Sequence, residues 1–511
     1  MTNQAIEDLK TYVGGLQDLG HVMGLLSWDM ETQMPPAAAD SRGKQMGILS
    51  ELHHQRATAD TLKHLLETAE ATGSNAPVDK ALLREVRRHY DHATKLPQAF
   101  VSELTEVTAK AHHVWVEARQ KQDFSLFEPL LTKIVAMNRQ QADYLGWEGS
   151  PLNALMDLFE PGLTVDEVDR LFNQLRAPLV QLVQAIGNSP HHATWPFDNE
   201  RFAEAQQKEL TVKVLETMGF DFKRGRLDKA PHPFCTNFSI NDVRLTSRYH
   251  EEDPFSALLT AMHEGGHGLV EQQADMALER TPLPGATLGI HESQSRLYEN
   301  ILGRSLAFWT YLTPAIKAMY PECAAMQRLE AQDIFRLVNR VKPSFIRVES
   351  DEVTYNLHIM LRYELEKALI ENQLQVADLP AAWNEKMQAY LGITPPNDSQ
   401  GVLQDVHWSG GMIGYFPTYT LGNLYSAQFW HTANQDNPTL NSDIEQGKLA
   451  VLTQWLRDKI HRHGQVDLPA GIVQRVTGQA LNAHYFLDYL WDKYTPLYQL
   501  SETPSYKTTV S

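Results

Sequence analysis

The chain has 511 residues, 42% of them apolar, which is enough for a large buried core and one to three domains. Its two cysteines, Cys235 and Cys323, exclude a disulfide framework and a thiolate zinc knuckle, so any metal must rest on His and carboxylate ligands; a reduced, cytoplasmic setting is expected. The formal net charge of -18 argues against nucleic acid, whose phosphates require concentrated Lys and Arg.

In chain order, the start Met1–Asp8 has no basic stretch followed by an apolar run, so no secretory signal is expected, and no segment reads as a membrane span. Helical periodicity covers residues near 5–27, 80–120, 325–341 and 445–463. One helix is sharply defined. Thr164 and Glu167 make a capping box, and Val168, Leu171, Phe172, Leu175, Leu179, Leu182, Val183 and Ile186 follow at three- and four-residue steps. Pro178 should kink it and Gly187 should stop it. Strand signals are confined to Phe234–Tyr249. There Phe238 and Ile240 alternate before Asn241-Asp242, and Val243 and Leu245 after it, predicting a short hairpin or two edge strands. Turn-rich breaks at 187–196, 281–289 and 395–401 do not read as interdomain linkers. The expectation is one mainly α catalytic unit over 1–511, with two helical lobes sharing a groove.

The strongest chemical signal is His263-Glu264-Gly265-Gly266-His267, preceded by Asp253 as a helix cap and Pro254 at the first helical position. Four residues apart on a helix, His263 and His267 share a face and can grip one ion. Glu264 sits about 100° around the axis, where it can face a water at the metal and act as general base. Gly265 and Gly266 each cost roughly 1 kcal/mol in a helix interior, so both imply a packing constraint. A catalytic zinc needs a third ligand. Residue 273 is Gln, which excludes a third His of the extended pattern. Glu292, His291 and Glu299 all qualify by chemistry, spacing does not choose among them, and Glu271 suits an outer role.

Several ordered blocks resemble the carboxypeptidase Taq family of metallocarboxypeptidases. They are Ser27-Trp28-Asp29-Met30-Glu31-Thr32 with Pro35-Pro36, His232-Pro233-Phe234, Asp242-Val243-Arg244-Leu245-Thr246, the His263–His267 segment and His291-Glu292-Ser293-Gln294-Ser295-Arg296. Ile346-Arg347 with Asp351-Glu352-Val353-Thr354-Tyr355, and Gly401-Val402-Leu403-Gln404-Asp405-Val406-His407-Trp408, complete the set. The resemblance implies Glu292 as third metal ligand, a helical saddle-like fold with a deep groove, a homodimer, and removal of single C-terminal residues with broad side-chain tolerance. The stretch from His267 to His291 is one residue shorter than in typical relatives, and Ser350 stands where they carry Ala.

An exopeptidase must hold the free terminal carboxylate, and an Arg fork does this best. Arg347 is the first choice by family position, with Arg244 and Arg296 as rivals, although Arg296 can equally pair with Glu292 or Glu299. Tyr415, Tyr419 and His407 are candidate oxyanion donors in a segment rich in Gly410, Gly411, Gly414 and Gly422, which can move over a substrate. His232 is expected to support the site without touching the metal. Zinc suits the ligands, with cobalt or manganese as substitutes. The alternatives are a helical zinc oligopeptidase cutting internally and a metal-stabilised peptide-binding scaffold without turnover.

Overall fold

The computed structural model describes residues 3–508, so the first two residues of the N-terminal segment read above lie outside it. It is 68% helical, with one small three-stranded sheet. No helix among the described residues is long and apolar enough to cross a membrane. The chain forms two compact units, each assembled from three separate segments. Unit 1 takes residues 1–94, 194–338 and 429–480; unit 2 takes 95–193, 339–428 and 481–511. The change at 193/194 falls in the turn-rich stretch 187–196, whereas the change at 428/429 falls inside the helix Pro417–Asp436. A boundary inside a helix leaves no linker composition in the sequence.

Unit 1 holds the helix Gln4–Thr32, which packs Ile6, Leu9, Val13 and Leu16 against Leu62, Leu66, Leu82 and Val86 in one apolar cluster. Its sheet has the order β1-β3-β2, with β1 Gly225–Lys229, β2 Cys235–Ser239 and β3 Asp242–Ser247. The expected hairpin is β2–β3, antiparallel; β3 is central rather than an edge strand, because β1 pairs with it in parallel. β1 escaped the sequence reading because Gly-Arg-Leu-Asp-Lys carries one apolar residue and no alternation. Thr246 closes the hairpin: its hydroxyl accepts the Phe234 amide at 2.8 Å and its own amide donates to Phe234 O at 2.9 Å. Two of the family-like blocks thus hold each other.

In unit 2 the capped helix runs Val165–Asn188, one residue past Gly187 and through Pro178, with the Thr164 hydroxyl accepting the Glu167 amide. The predicted 80–120 helix is two helices, Pro77–Lys95 and Gln98–Lys121, because Pro97 disfavours helical backbone at Leu96. The helix Tyr355–Ile370 is buried on nearly every side, which marks it as central to this unit.

Candidate functional site

The metal-type motif lies on the helix Ser256–Gln273 of unit 1. Asp253 and Pro254 fall just before the helix rather than in its first turn, yet the Asp253 carboxylate still accepts the Phe255 and Ser256 amides at 2.8 and 3.1 Å. The two mid-helix glycines answer to close neighbours. A Cβ on Gly265 would stand 2.5 Å from Leu215 Cδ2, and one on Gly266 would stand 2.6 Å from Gln294 O and 2.7 Å from Ser295 Cα. Gly266 therefore lets the next helix, Leu288–Arg296, lie backbone-close against the motif. That contact brings Glu292 to the two histidines.

Ligand atoms of His263, His267 and Glu292 lie within 4.8 Å of one another. Glu292 Oε2 is 3.8 Å from His263 Nε2 and 3.5 Å from His267 Nε2. A tetrahedral ion with bonds of about 2.1 Å separates its ligand atoms by about 3.4 Å, so two imidazoles and a carboxylate in this arrangement fit a divalent cation. The rivals His291 and Glu299 turn instead to the far nitrogens. His263 Nδ1–H donates to Glu299 Oε2 at 2.9 Å, and His267 Nδ1 meets His291 Nδ1. Arg296 spans the acids, from Nε to Glu292 Oε1 at 2.7 Å and from Nη1 to Glu299 Oε2 at 3.3 Å. It is an organiser of carboxylates here rather than a free clamp. After Arg296 the helix widens into a π-helical stretch, Leu297–Leu302, which carries Glu299.

Carboxylates outnumber cations around this helix. Burial works against charge on His263, but Glu292 and Glu299 outweigh it and raise the ring to about 9, while burial leaves His267 at about 3. Burial likewise opposes charge on Glu292, yet Arg296 and His263 hold it well below the usual carboxylate range. Glu264 is 6% exposed, and burial pushes its carboxyl up to about 7. With both histidines neutral the acids outnumber the two guanidiniums, and a divalent ion would balance them.

Arg244 belongs to the same unit and pairs with Asp242. Nε and Nη2 grip Asp242 at 2.9 Å each, and its guanidinium is stacked over Trp28 at 4.3 Å and Phe238 at 4.9 Å. Asp242 takes two of its five N–H donors and both faces of the guanidinium are covered, so Arg244 fastens Trp28 to the sheet and keeps donors on Nη1. His232 is exposed, on a bend before β2.

A second polar cluster forms within unit 2. Arg347, 5% exposed, sends Nε and Nη2 to Asp405 Oδ1 at 2.9 and 2.8 Å and Nη1 to the Tyr355 hydroxyl at 3.0 Å. Its backbone amide donates to Gln404 Oε1 at 2.8 Å, so Gln404-Asp405 holds both main chain and side chain of the Arg347 segment. The other Asp405 oxygen takes the Arg362 guanidinium at 2.6 Å. Burial opposes charge on Asp405, but Arg362 and Arg347 keep it ionised well below the usual range. Two guanidiniums share one carboxylate, which leaves an excess of positive charge. Tyr419 lies under Arg347 at 5.0 Å and its hydroxyl is 3.4 Å from His407 Nε2; Tyr415 stacks edge-on against Tyr419 at 5.2 Å. Burial lowers His407 to about 4, leaving it a neutral imidazole near pH 7.

The glycine-rich segment runs directly into a helix. Tyr419 and Gly422 belong to the helix Pro417–Asp436. Gly414 donates its amide to buried Glu366 at 2.9 Å, and a Cβ there would stand 3.0 Å from the Leu155–Met156 backbone. Trp408 Nε1–H donates to the other Glu366 oxygen at 2.8 Å. Gly414 thus serves close packing. Arg362, Asp405 and Glu366 were not singled out from sequence. The available signal was His358, Arg362 and Glu366 at four-residue steps along the largely buried helix Tyr355–Ile370.

Comparisons with known proteins agree with this chemistry. Residues 8–494 match the family described as carboxypeptidase Taq (M32) metallopeptidase. The chain is 42% identical to carboxypeptidase 1 of Bacillus subtilis over 94% of this chain and 95% of that one. It is 37% identical to thermostable carboxypeptidase 1 of Pyrococcus furiosus, over 96% and 99%. It is also similar to the crystal structure of the M32 carboxypeptidase from Deinococcus radiodurans, with a TM-score of 0.95, 38% identity, and 98% and 100% of the two chains covered. The chain therefore belongs to the carboxypeptidase Taq (M32) metallopeptidase family and is a metal-dependent carboxypeptidase.

Proposed function

We propose that the protein removes C-terminal residues one at a time from peptides, with broad side-chain tolerance, using zinc held by His263, His267 and Glu292 and Glu264 as general base. One observation carries this reading: the three ligand atoms converge within 4.8 Å beside a buried carboxyl that is the next residue on the same helix. Two imidazoles and a carboxylate suit zinc, and cobalt or manganese fit the same donors. A divalent ion there supplies Lewis acidity, polarising the scissile carbonyl and making water acidic enough to lose a proton near neutral pH.

Glu264 receives the proton of the attacking water and delivers it to the leaving amine. Burial favours its protonated form, which helps it take up that proton. Arg347 holds the terminal carboxylate of the substrate. Of its five N–H donors, Nε, one on Nη2 and one on Nη1 are used internally, so two remain for a carboxylate. The excess positive charge around Asp405 favours an anion at that place. Tyr415, Tyr419 and neutral His407 are assigned as donors to the carbonyl oxygen as it gains charge. The family match runs across both compact units, which supports one catalytic domain over 1–511. Family resemblance and two free cysteines support a cytoplasmic homodimer.

Replacing Glu264 by Gln tests the assignment. Metal content should stay at the wild-type level while turnover falls by about 10²- to 10⁴-fold. Normal turnover in that variant would remove Glu264 as the base.

A further inference from the structure

A chain of contacts leads away from His267 that the proposed chemistry does not use. His267 Nδ1 meets His291 Nδ1 at 2.5 Å, His291 Nε2 meets Glu271 Oε1 at 2.7 Å, and Asn237 Nδ2–H donates to Glu271 Oε2 at 2.8 Å. The members come from the motif helix, from the helix carrying Glu292 and from β2. The far end is closed by Gly285 at φ +78°, where a Cβ would stand 2.8 Å from Glu271 Oε1.

A contact between two imidazole nitrogens has one workable arrangement of hydrogens once one ring is a ligand. A ligand His267 offers its Nε2 lone pair, so its hydrogen resides on Nδ1. His291 Nδ1 must then accept, which puts the His291 hydrogen on Nε2, facing Glu271. The carboxylate accepts from His291 through one oxygen and from Asn237 through the other. Each hydrogen position follows from the one before it. Were His291 to carry its hydrogen on Nδ1 instead, His267 could accept it only by moving its own hydrogen to Nε2, and that nitrogen could no longer bind an ion. His263 faces no such choice, because its partner Glu299 is a carboxylate and can only accept.

We propose that His291 is a positioning residue that selects the metal-binding tautomer of His267, and that Glu271 and Asn237 hold His291 in the accepting form. The inference rests on the reading of His263, His267 and Glu292 as ligands. Outer partners of this kind carry about 10- to 100-fold in metal affinity.

The test uses the full chain with His291→Gln, His291→Asn and His267→Ala, each loaded with zinc or cobalt(II). Release of zinc to a chelator, the cobalt(II) absorption band and the melting temperature of the metal-free form are measured. In His291→Asn the amide oxygen replaces Nδ1 as acceptor for His267. In His291→Gln the side chain reaches Glu271 but withdraws that acceptor. The expected result is zinc release about 10- to 100-fold faster from His291→Gln, with a shifted cobalt band. His291→Asn should lie much closer to wild type, and both metal-free forms should melt with wild type. Equal release from the two variants, unchanged release from His291→Gln, or a metal-free His291→Gln that melts well below wild type would overturn the tautomer role. If His267→Ala holds zinc as tightly as wild type, the ligand reading itself fails, a separately recognisable outcome.

Discussion

Two buried helices carry polar side chains at the same four-residue interval. His263, His267 and Glu271 follow one another along Ser256–Gln273, and His358, Arg362 and Glu366 do so along Tyr355–Ile370. The spacing is the same, but the charge each stripe gathers is opposite. The first is surrounded by Glu264, Glu292 and Glu299, against Arg296 and Arg304. Its imidazole nitrogens converge on Glu292, and with both rings neutral, as ligands are, the three acids outnumber the two guanidiniums and call for a cation. The second shares a single Asp405 between Arg362 and Arg347, with His358 and His407 neutral, and its surplus of base calls for an anion. A buried polar stripe thus says little by its spacing; what it binds follows from the charges that neighbouring elements bring to it.

The comparison breaks first at Glu292. Converting it to Gln removes the acid that completes the cation-binding side, and metal retention should fall by well more than the about 10- to 100-fold typical of outer partners. Equilibrium dialysis against a chelator reads this directly; undiminished retention would hand the third-ligand role to Glu299 or His291. The anion-binding side breaks at Arg347. Arg347→Ala should cost about 2–5 kcal/mol in kcat/KM on a peptide with a free C-terminus, the penalty of losing one member of a buried charge pair. As a competitive inhibitor the amidated peptide should bind wild type and variant almost equally, and an equal loss for both peptides would contradict a carboxylate clamp.

The smallest effect concerns pH and separates two acids of unit 2. Burial raises Glu366 from an ordinary 4.5 to about 8, so the folded protein keeps a proton that the unfolded chain releases. Its contribution to stability is complete below about pH 4.5 and is lost as the pH rises to about 8. Asp405 has the opposite sign, because its value is depressed: its contribution is present above the ordinary range of an Asp and is lost in acid. Denaturant unfolding between about pH 5 and about pH 8 should therefore show Glu366→Gln losing less stability than wild type, by on the order of a few kcal/mol. Parallel curves for the two proteins would refute the neutral, buried state of Glu366.

The cation side was far more legible in the sequence than the anion side, for a physical reason. His263, Glu264 and His267 are local: one helical turn fixes their relation, and Gly265 and Gly266 announce the close contacts the structure contains. The proposed third ligand is not local. In a regular helix Glu292 and Glu299 lie two turns apart on nearly one face, so periodicity cannot rank them. Gly266 against the Gln294–Ser295 backbone and the π-helical stretch after Arg296 separate their roles. The Arg347 cluster is assembled from residues 15 and 58 positions from Arg347, with Asp405 as the link, and only family-like blocks pointed there. β1 and the division at 428/429 inside a helix were equally silent, since neither leaves a pattern of apolar residues.

The most direct test of the account is the mass of the products. An unblocked peptide and its C-terminally amidated twin are incubated with the zinc-loaded protein and with the metal-stripped protein. The account predicts a ladder of single C-terminal losses from the unblocked peptide, requiring the metal, and an intact amidated twin. Internal fragments, equal cleavage of the twin, or an unchanged ladder without metal would contradict it.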